Sequence, residues 1–199
     1  MDARRALLSR LFDHAAMFPP ASLPLEAALA EDDRARASEH AWLLARFVVP
    51  AGVAVDDREL AVVDGPVERQ GDVEYVEGRT KIRCGGARIP PVEEVAAFVR
   101  DCRERGLVFK ATAGLHHAYP TEAGEHGFLN LLAAAAFGDE EEALRAPSGS
   151  FVLDEQGFRW GDRVADAAQC ARTRATLLHS IGSCSFFEPL GELEELGIL

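Results

Sequence analysis

The chain lacks the features that define several large protein classes. No apolar run approaches the roughly 18 residues needed to span a bilayer. The opening segment MDARRALLSRLFDH has no continuous apolar stretch of the kind found in a secretory signal. Four cysteines are present without a CxxC pair, so neither a disulfide scaffold nor a zinc knuckle is indicated. We expect a soluble, cytoplasmic protein whose thiols are reduced.

Positive charge is also scarce. Asp and Glu total 33 against 21 Lys and Arg, which gives a formal net charge of -12. Such a charge repels phosphate backbones and anionic lipid headgroups, and no basic stripe offsets it. We therefore predict no nucleic-acid partner and no membrane association, although a local basic pocket could still bind a small anion.

Common catalytic fingerprints are missing as well. GxGxxG, GxxxxGKS/T, GxSxG and HExxH do not occur, which argues against dinucleotide binding, P-loop chemistry, serine hydrolysis and zincin proteolysis. His116, His117 and His126, with Glu122 and Glu125 nearby, offer metal ligands of a suitable type in no recognised spacing. The sequence thus predicts neither a metal nor a cofactor, with metal catalysis as a minor alternative.

Lysine is unusually rare, since only Lys81 and Lys110 among the 21 Lys and Arg residues are lysines. A chain that uses arginine wherever a positive charge suffices has kept lysine at two positions. Lysine differs from arginine in that it can lose its proton in a dry site and form an imine. These two residues are candidates for such chemistry, and structural lysines retained by chance are the alternative.

Apolar periodicity and turn residues predict strands that alternate with helices, an order typical of βα units and a parallel sheet. The prediction is one α/β domain over residues 1–199. Strands are predicted at 42–50, 59–65, 72–78, 80–86, 107–114 and 182–189, a hairpin at 151–161, and helices at 3–12, 22–39, 92–106, 127–138, 139–146 and 163–181.

Ligand sites in parallel α/β proteins lie at the carboxyl ends of strands, and the segment KIRCGG provides the first candidates. Lys81 and Arg83 share one face of this strand because side chains alternate along it. Gly85 and Gly86 follow and permit close approach of the backbone to a ligand. A solvated Lys/Arg pair at a strand end is the alternative.

The segment FKATAGLHH is the most informative one. Lys110 and Thr112 should point to the same side of the sheet, and His116 and His117 follow the strand. A buried ammonium is either paired with a carboxylate or has a depressed pKa, and the depressed form is the nucleophile needed for a Schiff base. Adjacent residues of an extended segment point apart, so we expect at most one of the two histidines to face the site.

Polar residues near other strand and helix ends complete the candidate set, as substrate-binding groups or as caps of turns. Cys184 is read more simply as a buried cysteine. The substrate-binding candidates are Ser183, Ser185, His126 and Asn130, with Asp13 and His14 as weaker ones.

Six segments, MFPPASLPLEAALAE, HAWLLARFVVP, KIRCGG, FKATAGLHH, HGFLNLL and GSCSFFEP, resemble a family of uncharacterised bacterial proteins that are barrel-like and longer. Those relatives carry additional strand and helix units between the segments FVVP and KIRCGG. The resemblance implies a shortened barrel for this chain.

A second, local resemblance covers five residues, Lys110 to Gly114. KATAG is similar to the lysine-bearing strand of deoxyribose-phosphate aldolase and related class I aldolases, where a lysine of a TIM barrel forms the Schiff base. A second lysine tunes the first in that family, and Lys81 would be its analogue here.

A complete (β/α)₈ barrel takes roughly 250 residues, so the fold predicted is a TIM-barrel-like, incomplete or distorted parallel barrel or sheet of about six strands with an added hairpin. Exposed sheet edges would be covered by the hairpin or by a second copy in a homo-oligomer.

The leading hypothesis is an enzyme that acts on a small carbonyl or phosphorylated metabolite, with Lys110 as nucleophile. Lys81 or Arg83 would set the pKa of Lys110 or bind an anion, and His116 or His117 would move protons. The alternatives are a non-catalytic small-molecule binding protein and a degenerate barrel that serves as a subunit of a complex.

Overall fold

The computed structural model describes residues 2–199. No helix in this range has the length and apolar character needed to cross a membrane. The helices are α1 Ala3–Leu8, α2 Leu25–Ala37, α3 Val92–Glu104, α4 Phe128–Phe137, α5 Glu140–Arg145, α6 Ala167–Thr176 and α7 Phe187–Glu195. The strands are β1 Phe12–His14, β2 Leu44–Pro50, β3 Leu60–Asp64, β4 Val67–Gln70, β5 Val73–Val76, β6 Lys81–Arg83, β7 Phe109–Thr112, β8 Phe151–Leu153, β9 Phe158–Trp160, β10 Arg163–Ala165 and β11 Leu178–Ser183.

Eight of these strands form a nearly closed, barrel-like sheet in the order β5-β4-β3-β2-β1-β11-β7-β6. From β3 to β6 every neighbouring pair is parallel, whereas β4 runs antiparallel to both β3 and β5. A parallel bridge between Glu77 and Lys81 links the two ends of the sheet. The barrel-like α/β prediction is confirmed at this level, with eight strands instead of about six.

The two additional strands come from segments with weak strand signals. β1 has only three residues, Phe12–His14, and lies inside and just beyond the stretch predicted as a helix at 3–12. β4, VERQ, buries Glu68 and Gln70 instead of apolar side chains, so it lacks the apolar alternation by which a half-buried strand is recognised.

Two predicted elements near the carboxyl terminus are wrong. The segment 163–181 is not one helix, because it contains β10, α6 and the start of β11. No glycine or proline separates α6 from β11, so helical periodicity runs on through the boundary. The segment 182–189 contains the end of β11 and the first turn of α7, with no further strand.

The outer face of the barrel carries the main hydrophobic core. α1, α3, α4 and α6 contribute buried residues to one cluster with the outward-facing side chains of the strands, among them Phe12, Phe109, Ala111 and Ile181. α2 covers a smaller cluster beside β2, with Ala28 against Phe47. Apolar burial of this kind is the main favourable term in folding, and it leaves the barrel interior free to be polar.

The predicted hairpin forms as β8 and β9, and β10 extends it to a separate three-stranded antiparallel sheet. Its aromatic side chains contact one another and α4, since Phe158 and Trp160 pack against Phe137. Phe151 also stacks on Tyr119. Among residues 2–199 this sheet pairs with no strand of the barrel.

Candidate active site

Two irregularities in the sheet turn polar residues into the barrel. The register between β1 and β2 shifts between Phe12 and His14, and the backbone N–H of Arg46 there donates to Asp13 Oδ1 at 2.9 Å. A second shift lies on β11 between Leu178 and Ser180. Bulges re-aim side chains and free backbone groups in this way, often beside active sites.

Lys110 lies at the centre of the polar interior and is fully buried. Its Nζ donates to Asp13 Oδ2 at 2.6 Å and to Glu68 Oε1. Gln70 Nε2 donates to the same two carboxylates at 3.0 Å each, and Ser180 Oγ donates to Asp13 Oδ2 at 2.6 Å. Lys110 thus meets the first of the two alternatives for a buried ammonium, pairing with carboxylates.

The charge state of this network follows from its geometry. Burial alone would lower the pKa of Lys110, but Asp13 and Glu68 outweigh it and hold the pKa above its ordinary value. Burial alone would raise the pKa of Asp13, but Lys110 and Ser180 hold it below its ordinary value. The ammonium and the Asp13 carboxylate are both charged at neutral pH.

Lys81 lies directly beside Lys110, because the two residues are register partners on β6 and β7. It is 3% exposed, and within residues 2–199 no carboxylate forms an ion pair with its Nζ. Burial lowers the pKa of Lys81, and the positive charges of Lys110 and Arg83 lower it further, against the opposing effect of Glu68 and Glu77. Lys81 therefore meets the second alternative, a depressed pKa.

Both lysines line a cavity of about 110 Å³ at the carboxyl ends of the parallel strands. A volume of this size admits several waters or one small organic molecule. Its polar wall is formed by Glu68, Lys81, Arg83, Lys110, Thr112 and His116, and its apolar wall by Ala15, Phe18, Pro19, Val48, Val63, Ala113, Gly182 and Cys184.

Glycine gives the cavity room at Gly182 on β11. A methyl group there would lie 3.3 Å from Thr112 Cγ2 and 3.7 Å from Lys110 Cε. The loops after β6 and β7 pack backbone against backbone, since a methyl group on Gly85 would lie 2.6 Å from Gly114 Cα. Gly85 therefore lets the two loops pack closely, and it lines a second, neighbouring cavity, shared with Lys81, Arg83 and Arg88, rather than the first one.

The tandem histidines diverge. His116 lines the cavity, and its Nδ1 is 2.9 Å from Glu188 Oε2. His117 points away, with Nδ1 at 2.6 Å from Glu192 Oε1 and a half-exposed side chain. Only one of the two faces the site, as their adjacency predicts.

Several predicted substrate-binding residues lie outside the cavity. His126 is buried against the carbonyl oxygen of Pro90 at 2.8 Å. Asn130 Nδ2 donates to the carbonyl oxygens of Ala143 and Ala146 at 2.8 Å each, where it fixes the end of α5. The remaining ones are Gly86, which faces the Arg83 side chain; Ser183, which donates to the Ser185 carbonyl; and Ser185, which caps Phe187. His14, the weaker candidate, packs on Phe47 and bonds Asp32.

Three site residues were not predicted from the sequence, namely Glu68, Gln70 and Ser180. All three are buried polar residues that face Lys110 or Asp13. Charged or amide side chains in the pattern VERQ, between two predicted strands, are a signal that could have pointed to a polar barrel interior. Ser180 carried no signal, because it fell inside the segment assigned to a helix.

A second polar group lies deeper in the barrel. Arg46 Nη1 lies 3.3 Å from His179 Nε2, and Tyr75 Oη lies 2.6 Å from His179 Nδ1. The guanidinium of Arg46 can only donate, so His179 Nε2 accepts its hydrogen bond. His179 Nδ1 therefore carries the ring proton and donates a hydrogen bond to Tyr75 Oη. Burial raises the pKa of Tyr75 to about 12 and lowers that of His179, so the phenol and the imidazole are both neutral.

Comparison of the chain with protein-family models, with curated proteins and with solved structures found no match.

Proposed function

We propose that this chain is an enzyme with a TIM-type barrel that forms an imine between a lysine and a small carbonyl compound, in the manner of class I aldolases and lyases. The observation that carries the proposal is the pair of adjacent buried lysines on one cavity, of which only Lys110 is neutralised by carboxylates. In this proposal the two lysines exchange the roles expected from the sequence, with Lys81 as nucleophile and Lys110 as its charged neighbour.

Lys81 is the better nucleophile because an amine attacks only without its proton. It is buried and forms no ion pair among residues 2–199, and burial with the two nearby cations outweighs the attraction of Glu68 and Glu77, so its pKa is lowered. These are the conditions that activate the lysines of imine-forming enzymes. Lys110 has the opposite surroundings, because Asp13 and Glu68 hold its proton in place.

Lys110 keeps its proton in the proposed reaction, because Asp13 and Glu68 hold it. The Lys81 amine adds to the carbonyl carbon and transfers one of its protons to the oxygen, which gives a carbinolamine. The C–O bond then breaks as the oxygen takes a second proton from solvent at the cavity mouth and leaves as water. The product is an iminium on Lys81, which accepts an electron pair when an adjacent C–C or C–H bond breaks.

The cavity favours a small substrate that carries a negative charge. Arg83 lines the cavity and forms no ion pair within residues 2–199, so its guanidinium is free to bind a carboxylate or a phosphate. The volume of about 110 Å³ admits one small organic molecule. A short 2-oxo acid, or a phosphorylated aldehyde whose phosphate remains at the mouth, fits both properties.

The position of the cavity supports the same proposal. Thr112 and Arg83 are the last residues of β7 and β6, and Gly182 is the second-last residue of β11. The cavity therefore lies at the carboxyl ends of parallel strands, where TIM-barrel enzymes place their active sites.

The test is borohydride trapping with a panel of small aldehydes and 2-oxo acids, followed by peptide mass mapping of the adduct. We expect reduction to fix an adduct on Lys81, with no adduct in Lys81→Met. Lys110→Arg, which keeps the positive charge, should still form the adduct, although more slowly. An adduct on Lys110 in the unaltered protein would refute the exchange of roles, and no adduct on either lysine would refute imine chemistry.

A small-molecule binding protein is the second candidate function. The observation that favours it is the complete engagement of Lys110 by Asp13 and Glu68, a stable arrangement without any substrate. Lys81 and Arg83 would then bind an anion without reacting. Binding of a 2-oxo acid by calorimetry, unaccompanied by a borohydride adduct, would favour this function over the enzyme. Cytoplasmic location, homo-oligomer formation and the absence of nucleic-acid partners stay predictions.

A further inference from the structure

Three potential metal ligands converge at the rim of the cavity, on the side of β7 and β11. They are a ring nitrogen of His116, the thiol of Cys184 and the carboxylate of Glu188, whose ligand atoms all lie within 4.8 Å of one another. β7 and β11 are neighbouring parallel strands, so the loops that follow them meet at the same edge of the sheet. Glu188 lies in the first turn of α7, four residues after Cys184.

The spacing of these atoms is close to that of a tetrahedral zinc site. Zn–S of about 2.3 Å and Zn–N and Zn–O of about 2.0–2.1 Å place S and N about 3.6 Å apart and N and O about 3.3 Å apart at tetrahedral angles. Here Cys184 Sγ lies 3.9 Å from both ring nitrogens of His116. His116 Nδ1 lies 2.9 Å from Glu188 Oε2. The S–N and N–O distances differ from these values by about 0.3–0.4 Å, and the Cys184 thiol and the Glu188 carboxylate lie within 4.8 Å of each other.

We propose that His116, Cys184 and Glu188 form a binding site for Zn²⁺ or a similar thiophilic divalent cation. Imidazole, thiolate and carboxylate are the three ligand types that zinc uses, and sites with three protein ligands keep a fourth position for water or substrate. His116 and Cys184 also line the cavity, so the fourth position of a bound ion would be accessible to a substrate oxygen. This inference is independent of the imine chemistry proposed above.

The three ligands become more exposed from Cys184 through His116 to Glu188, so an ion can reach the buried thiol from the surface. The Cys184 residue is 8% exposed, whereas the side chains of His116 and Glu188 are 13% and 59% exposed. A cation can therefore bind first to the carboxylate at the surface and then to the thiolate at the buried end. A simple His116–Glu188 ion pair beside an uninvolved cysteine is the competing interpretation.

The nearby His117 provides a matched control. It contacts Glu192 at 2.6 Å and Glu125 at 3.6 Å, so it also combines imidazole with carboxylates but has no thiol. His117→Gln should leave zinc binding unchanged. If the proposed site were only a collection of surface histidines and carboxylates, His117→Gln would weaken binding as much as a change at Cys184.

The experiment is titration of the chelator-treated full chain with Zn²⁺ by calorimetry and with Co²⁺ by absorption spectroscopy. We expect one ion per chain, and a thiolate-to-cobalt charge-transfer band together with the intense visible bands of tetrahedral Co²⁺. Cys184→Ser should abolish the charge-transfer band. Since losing an outer-shell partner already costs 10- to 100-fold in affinity, Glu188→Gln should weaken zinc binding at least about tenfold.

Glu188 is exposed, so Glu188→Gln tests the site without endangering the fold even if the buried Cys184→Ser variant unfolds. The proposal is overturned if zinc at micromolar concentration does not bind. It is also overturned if the cobalt spectrum lacks a thiolate band, or if Glu188→Gln binds zinc as tightly as the unaltered chain. Borohydride trapping on Lys81 is unaffected by either outcome, so failures of the two proposals are distinguishable.

Discussion

Replacing Lys110 by Met should destabilise the protein far more than the same change at Lys81. Lys110→Met leaves Asp13 and Glu68 as two buried carboxylates without a cation between them, because only Gln70 and Ser180 remain as donors to their inner oxygens. Lys81→Met removes an amino group that has no ion-pair partner within residues 2–199. The two variants lose the same group from neighbouring positions of the same cavity.

The expected magnitude follows from the ion pairs. Breaking a buried pair by removing one partner costs about 3–5 kcal/mol, chiefly because the other charge stays buried and unpaired. Domains have a free energy of unfolding of roughly 5–15 kcal/mol, so Lys110→Met should lose about a fifth or more of the total. Lys81→Met should change the free energy of unfolding by less than about 1 kcal/mol or increase it, because burial already disfavours the charged form of Lys81.

The dependence on pH has a definite sign. The pKa of Asp13 lies below its unfolded value of 3.8 and that of Lys110 above its unfolded value of 10.5. The contribution of Asp13 to the free energy of unfolding is therefore complete above pH 3.8 and is lost as the pH falls through the folded pKa. The contribution of Lys110 is complete below pH 10.5 and is lost as the pH rises through its folded pKa. In Lys110→Met, the burial of Asp13 is opposed only by its remaining hydrogen bonds, so Asp13 takes up its proton at a higher pH. The difference between variant and unaltered protein should shrink from about pH 7 to about pH 4.

Urea unfolding followed by circular dichroism measures these free energies. A double-mutant cycle with Glu68→Gln completes the test, because Glu68→Gln should destabilise the unaltered protein and partly rescue Lys110→Met. We expect a coupling energy of at least about 1 kcal/mol. Equal effects of the two lysine changes, or additive effects of Lys110→Met and Glu68→Gln, would refute the reasoning on which the assignment of the lysines depends.

Three further outcomes are expected. Gly85→Ala should lower the free energy of unfolding by about 1–3 kcal/mol, since its methyl group would lie 2.6 Å from Gly114 Cα. Gly191 lies in helix α7 with open space around it, so Gly191→Ala should raise the free energy of unfolding by about 0.5–1 kcal/mol. Thermal melts of both variants test these two expectations. Asn130→Ala should cost about 1–3 kcal/mol by leaving buried carbonyl oxygens unsatisfied, yet leave borohydride trapping intact, and a loss of trapping in the folded variant would restore Asn130 to the site. Cys84, whose pKa burial raises to about 12, should resist a thiol reagent until urea unfolds the chain, and rapid labelling of Cys84 under native conditions would contradict its burial.

The sequence predicted the elements whose signals are local. The βα order, the hairpin and most helices follow from periodicity and turn residues. Strand alternation correctly placed Lys81 with Arg83, and Lys110 with Thr112, on the side of the sheet that faces the cavity. The alternation of adjacent residues likewise separated His116 from His117.

What the sequence could not supply was the partner of each lysine. Asp13 lies on β1, 97 residues before Lys110, and Glu68 lies on β4, 42 residues before it. Such contacts arise only when the barrel closes, and a single sequence has no signal for closure. A strand that buries polar side chains lacks the apolar alternation by which strands are recognised. β4 was not predicted for this reason, because the side chains that it buries are polar residues of the site.

The two lysines show how one barrel can shift the pKa values of adjacent lysines in opposite directions. Lys81 and Lys110 are neighbours in register, so a uniformly low dielectric would depress both pKa values. The position of two carboxylates separates them, because Asp13 and Glu68 bond to Lys110, whereas at Lys81 burial outweighs the attraction of Glu68 and Glu77. Imine formation needs one amine without its proton and one acid with it. In the proposed imine chemistry, a barrel that neutralises only one of two adjacent lysines would leave the other free to lose its proton in the same cavity, at the cost of burying two carboxylates where apolar side chains are often as stable.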